Sequence, residues 1–93
     1  MSIETIRNII LSVVDEFSIK KVLLFGSFAN GNNGENSDVD LIIEFKTNIT
    51  LLTLSTLKIR LEELMNLDVD IIHGPIQDSD FIKIDRMVEL YAA

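Results

Sequence analysis

The stretch GSFANGNNGENSDVDLII, Gly26 to Ile43, decides how the chain is read. Before it stands KVLLF, Lys21 to Phe25, an apolar run rich enough in branched residues to be a buried strand, and Gly26 stops it. From Gly26 to Ser37 three glycines and four asparagines favour turns, although Ser27 to Asn30 has room for one helical turn. DVDLIIEF, Asp38 to Phe45, then alternates: Val39, Leu41, Ile43 and Phe45 share one face, and Asp38, Asp40, Ile42 and Glu44 share the other. The loop is short enough for the two strands to pair as antiparallel neighbours, which sets Gly26 and Ser27 beside Asp38 and Asp40.

Upstream, Ile3, Ile6, Ile10, Val13 and Phe17 keep three-and-four spacing and predict a helix from Ser2, its N-cap, to Phe17. Downstream, leucines at 51, 54, 57, 61 and 64 predict a second long helix from about Thr50 to Met65. DVDIIH, Asp68 to His73, is a third strand closed by Gly74 and Pro75. Phe81, Ile84, Val88 and Tyr91 predict a final helix from about Asp78 to Tyr91. The order is α-β-β-α-β-α: an α/β (α+β) fold with a small mixed three-stranded sheet covered by helices. The two Asp-Val-Asp stretches have unlike flanks and are no repeat, and the 93 residues read as one domain, 1–93.

Composition removes several function classes. With no cysteine there is no disulfide scaffold and no thiolate nucleophile, and one histidine cannot build a His-rich metal site, so any metal must be held by oxygen. A net charge of −7 opposes direct binding to nucleic acid. No apolar run approaches the ~20 residues that span a bilayer, and the N-terminus lacks a basic start followed by an apolar block, so a cytoplasmic protein without a membrane partner is expected.

A strand that leaves Asp40 and returns through a helix makes a right-handed crossover to a parallel neighbour, which brings Asp68 and Asp70 to the rim that holds Asp38 and Asp40. Neighbouring strands lie about 4.8 Å apart, so Asp38, Asp40 and one of Asp68 or Asp70 can converge. Crowded carboxylates repel unless cations neutralise them, and an all-oxygen set suits Mg²⁺. Backbone amides around Gly26 and Ser27 favour a phosphate. Cations beside a phosphate cradle point to phosphoryl or nucleotidyl transfer.

These residues also carry a resemblance. GSFANGNNGENSDVDLII is similar to the signature of the DNA polymerase beta superfamily: a Gly-Ser pair, a spacer, then Ser-Asp-x-Asp-Leu. It is most similar to the minimal, MNT-type nucleotidyltransferases encoded beside HEPN-domain partners. The resemblance implies the nucleotidyltransferase fold, ATP as substrate and two Mg²⁺ ions. It makes Gly26, Ser27, Asn30 and Ser37 nucleotide-binding positions, with Gly26 and Ser27 on the triphosphate. It makes Asp38, Asp40 and Asp70 the metal ligands and catalytic acids, Asp70 also helping to deprotonate the attacking hydroxyl. Asp68, on the same face one pleat earlier, stays open as the third acid. The partner implied is a HEPN toxin, neutralised by transfer of AMP onto a tyrosine or, alternatively, by binding alone; association with further copies of the chain is left open. One departure bears on activity: the family places Arg where this chain has Asn30, and an amide lacks the charge-assisted contact that Arg makes to phosphate.

Plainer readings cover the other polar residues. Glu44 lies about 13 Å along the strand from Asp40 and is expected in solvent. His73 alternates away from Asp70 and is given no role. Lys83 and Arg86 are read as helix-surface charges.

Overall fold

The computed structural model describes residues 1–31, 38–75 and 87–93. Helix α1, Ile3–Leu11, starts at Ser2, whose side chain accepts from the Thr5 amide as an N-cap. Ile6 and Ile10 are its buried residues. The expected extension to Phe17 does not form. Residues 12–18 are turns, and Ser18 takes a left-handed φ of 52° before the Ile19 amide bonds the Val14 carbonyl at 2.9 Å. Paired β-branched residues, Val13 and Val14, are weak helix formers, and the Ser12 hydroxyl donates to the Ile9 carbonyl. Val13, Val14 and Phe17 are buried all the same, so the apolar spacing reports burial where it does not report helix.

Strand β1, Ile19–Phe25, is followed by the one-turn helix α2, Ser27–Asn30, and strand β2, Val39–Phe45. Helix α3, Leu51–Met65, is capped by Thr50, whose side chain accepts from the Thr53 amide, and ends on Asn66 in the left-handed region. Strand β3 is Val69–His73 and strand β4 is Val88–Ala92. The sheet order is β3-β2-β1-β4, with β1 antiparallel to β2 and β4, and β2 parallel to β3. The helices lie on the face that carries Val22, Leu24, Val39, Leu41, Ile43 and Val69, all buried in one core with Leu57 and Leu61 of α3. Among the described residues no helix is long and apolar enough to cross a membrane.

The antiparallel β1–β2 pair and the parallel return through α3 match the order expected. The chain end does not: residues 88–91, expected within a final helix, form with Ala92 a fourth strand, so the sheet of the described residues has four strands and not three. Residues 78–86 of that helix, with Phe81, Ile84, Lys83 and Arg86, lie outside the described residues. Three strands alone would leave β1 at an edge with a row of unpaired backbone groups; β4 pairs with them. A register shift between Val22 and Leu23 lets both Leu90 and Tyr91 pack on the core. Arg7 of α1 ties the new strand down by donating to the carbonyls of Leu90 at 3.3 Å and Glu89 at 3.2 Å.

A strand and a helix here make opposite demands on Leu90. A helix with Val88 and Tyr91 inward turns Leu90 toward solvent, whereas in β4 it is 4 % exposed. Leu90→Ala is therefore expected to destabilise the fold by about 2–4 kcal/mol. Glu89→Ala, which removes only an exposed 3.9 Å ion pair with Lys21, should cost within about 1 kcal/mol. Urea unfolding of the two variants checks the contrast.

Candidate functional site

The rim of the sheet where β1 ends and β2 and β3 begin holds the acids. In the β1–β2 register Phe25 stands opposite Asp40, so the residue after Phe25 closes over the Asp40 side chain. That residue is Gly26, with φ +76°, and a Cβ built on it would overlap Oδ2 of Asp40 and lie 3.2 Å from its Cγ. Two independent demands therefore select glycine: a left-handed backbone that turns β1 into α2, and a carboxylate packed against the bare Cα. Ser27 and Asn30 lie on α2, at the predicted helical turn, but their side chains lie outside what the structure describes, and Ser37 lies outside the described residues.

On the other side, Asp40 is the register partner of Asp70 across the parallel β2–β3 pair. The crossover through α3 thus sets two carboxylates side by side on the same sheet face, at a strand spacing of about 4.8 Å. Asp38, exposed, immediately precedes β2 and lies on that face by alternation. Partial burial first, then the negative charges of Asp70 and of Asp38, push the Asp40 carboxyl above its ordinary 3.8. Among the described residues none donates a hydrogen bond to the carboxylates of Asp38, Asp40 or Asp70. No three acid or imidazole side chains of the described residues converge into a finished metal cage. The donors fit a hard cation in type, all oxygen and mutually repelling, with the carboxylates still apart.

The two alternatives for the third acid are placed differently. Asp68 precedes β3; its carbonyl accepts from the Val39 amide at 2.9 Å, and it borders an open groove of about 350 Å³ with Glu62, Asn66 and Leu67. Asp70, by contrast, is directly abreast of Asp40. Glu44 and His73 lie at the other end of the sheet. There the His73 ring meets the edge of Phe45 at 5.4 Å, and Glu44 packs beside Gly74, where an added Cβ would lie 2.9 Å from its Cγ. The acidic face is not acidic throughout: Ile42, between Asp40 and Glu44, is 2 % exposed.

Sequence reasoning missed one side chain at this rim. The Glu62 carboxylate, on α3, accepts from the Val69 amide at 3.1 Å, at the first residue of β3 and next to Asp70. A glutamate in the last turns of a helix looks like a surface charge, and only the closure of α3 onto β3 gives it a partner.

Comparison with known proteins agrees with this architecture. Residues 7–87 match the family model described as polymerase beta, nucleotidyltransferase. A candidate protein adenylyltransferase of Methanocaldococcus jannaschii, MJ0435, is 35% identical over 72 residues, which are 77% of this chain and 77% of that protein. Among solved structures, a toxin-antitoxin crystallised with AMP-PNP superposes with a TM-score of 0.77 at 19% identity, covering 94% of this chain and 73% of the other. A tri-AMPylated HEPN toxin of Shewanella oneidensis in complex with its MNT antitoxin gives a TM-score of 0.71 at 15% identity, covering 98% and 73%. At those identities the structures speak to the fold, while the family match spans most of the chain. With the Gly-Ser turn, the Asp-x-Asp strand and the abreast Asp70 in place, the chain belongs to the polymerase beta family of nucleotidyltransferases.

Proposed function

We propose that this nucleotidyltransferase moves AMP from ATP onto a hydroxyl, a tyrosine of a HEPN-domain toxin, and acts as that toxin's antitoxin. The observation that carries the reading is the register of Asp40 beside Asp70, over a glycine that the Asp40 carboxylate requires. Support for the substrate and partner comes from the adenylyltransferase relative and from the toxin-antitoxin structures of like fold. Asp38, Asp40 and Asp70 would hold Mg²⁺, which when bound neutralises charge on the phosphates and on the acids themselves. The turn at Gly26 and Ser27 receives the triphosphate through backbone amides, with Asn30 and Ser37 the further nucleotide-binding positions of the motif. Asp70 accepts the proton of the acceptor hydroxyl as its oxygen bonds to the α-phosphorus. The bond from that phosphorus to the α–β bridging oxygen breaks, and pyrophosphate departs.

Asn30 favours a second reading, in which the fold neutralises its partner by contact alone, because an amide there binds phosphate more weakly than Arg. The two separate cleanly. Incubated with a HEPN-domain protein encoded beside it, ATP and Mg²⁺, the chain should add the mass of AMP to that protein. The Asp38→Asn, Asp40→Asn double variant should lower the rate by about 10²-fold or more and lose neutralisation. Neutralisation that survives in the double variant, with no AMP added by the unaltered chain, would establish the contact reading.

Asp40 also links the site to stability. A carboxyl whose folded pKa is raised holds its proton more tightly in the folded state, so the contribution of Asp40 to stability is greatest at low pH and falls as pH rises from 3.8 through the folded value. Asp40→Asn keeps the shape and removes the charge. Without metal it should melt above the unaltered protein at pH 7, and the gap should close toward pH 3. Millimolar Mg²⁺ should raise the melting temperature of the unaltered protein and leave the variant's almost unchanged, which thermal denaturation followed by circular dichroism will read. Gly26→Ala should both destabilise the fold, by about 1 kcal/mol or more, and abolish transfer, because the new methyl group displaces the Asp40 carboxylate.

A further inference from the structure

We propose that Glu62 is a positioning residue for the third carboxylate: its bond to the Val69 amide sets the strand that carries Asp70 in register with Asp40. The proposal rests on the reading of Asp38, Asp40 and Asp70 as a cation site. Two like charges abreast on neighbouring strands push those strands apart. Strand β3 is poorly equipped to resist it. It is an edge strand of five residues, with Ile72 and His73 exposed and Val69 alone fully buried. A slip of one residue against β2 would turn Asp70 into the core face and bring Val69 or Ile71 to the rim.

Among the described residues, three bonds outside the β2–β3 pairing itself hold the start of β3. The Val39 amide bonds the Asp68 carbonyl at 2.9 Å, on the side facing β2. The Asn66 amide bonds the Glu62 carbonyl at 2.8 Å and closes α3 in the left-handed cap from which the chain turns. The Val69 amide, pointing away from β2 toward the open edge, receives the Glu62 carboxylate at 3.1 Å. Glu62 thus takes part in two of the three, through its backbone and its side chain. Its carboxylate is the only described side chain that bonds the backbone of β3. It satisfies an edge amide that would otherwise face water, one residue before Asp70, and makes the turn between α3 and β3 a closed unit. Groups that orient ligands in this way are commonly worth about 10–100-fold in metal affinity or activity.

The test compares Glu62→Gln, which keeps an acceptor oxygen, with Glu62→Met, which keeps the length and removes it. Mn²⁺ serves as a paramagnetic probe, read as broadening of the Asp40 and Asp70 amide signals in a ¹⁵N-labelled chain. Exchange protection of the Val69 amide is followed in parallel. Glu62→Met is expected to lose Val69 protection and to need about 10-fold more Mn²⁺ for half-maximal broadening, with Glu62→Gln within about twofold of the unaltered chain. Loss of Val69 protection with an unchanged Mn²⁺ midpoint would make the bond merely structural and overturn the proposal. So would a Glu62→Met spectrum without dispersed signals, which would mark Glu62 as a folding residue. Absence of site-selective broadening in the unaltered chain would overturn it together with the cation reading. Selective broadening that follows the expected order, in a chain that transfers no AMP, would uphold the role of Glu62 and reject the proposed reaction alone.

Discussion

The structure turns on an interaction that is unfavourable by itself: Asp40 and Asp70, carboxylates on adjacent parallel strands, held abreast on one face of the sheet. What holds them is the opposite face. Val39, Leu41 and Ile43 of β2 and Val69 of β3 are each 0 % exposed, so the side-chain period of two leaves the acids no alternative to the rim. Burying side chains of this size contributes about 1.5–3 kcal/mol apiece, more than two partly hydrated carboxylates lose by standing together. The core therefore fixes the acids in place, and their repulsion is tolerated as a local cost of the fold.

How much of this was legible follows from which interactions are local. Alternation in DVDLIIEF and DVDIIH is a property of each strand alone, and both strands form almost where it predicts. Ser2 caps α1 through a side chain that reaches only three residues on, so it too is readable. The C-terminal strand is not legible locally, because Val88 and Tyr91 satisfy helical spacing, whereas what makes VELYA a strand is the unpaired edge of β1, more than sixty residues away in the chain. The end of α1 failed for a related reason: Phe17 is buried as a helix would bury it, but from a turn.

The site divides along the same line. The Gly-Ser turn and the paired acids stand out as residue types at a spacing, and the register that joins Asp40 to Asp70 follows from a short connection and a right-handed crossover. The reason for Gly26 is only half visible in the sequence. A turn after a strand predicts glycine, but the packing of the Asp40 carboxylate on its Cα belongs to the tertiary structure. Glu62 is wholly tertiary, since its significance appears only when α3 folds back and presents it to the first amide of β3.

The polar groups around the rim are satisfied in a selective way. The Val39 amide is met by the Asp68 carbonyl, the Asn66 amide by the Glu62 carbonyl and the Val69 amide by the Glu62 carboxylate, so these backbone donors are used within the fold. The carboxylates of Asp38, Asp40 and Asp70 are treated oppositely, with no donor among the described residues directed at them. A fold selected for stability alone would turn those amides toward the acids, since a carboxylate that accepts backbone amides is strongly stabilised in its charged form. Here the described donors are used within the scaffold and none of them is directed at the acids. That division leaves the repulsion between Asp40 and Asp70 uncompensated by the described donors, while the bonds at the start of β3 tie down a sheet edge of five residues.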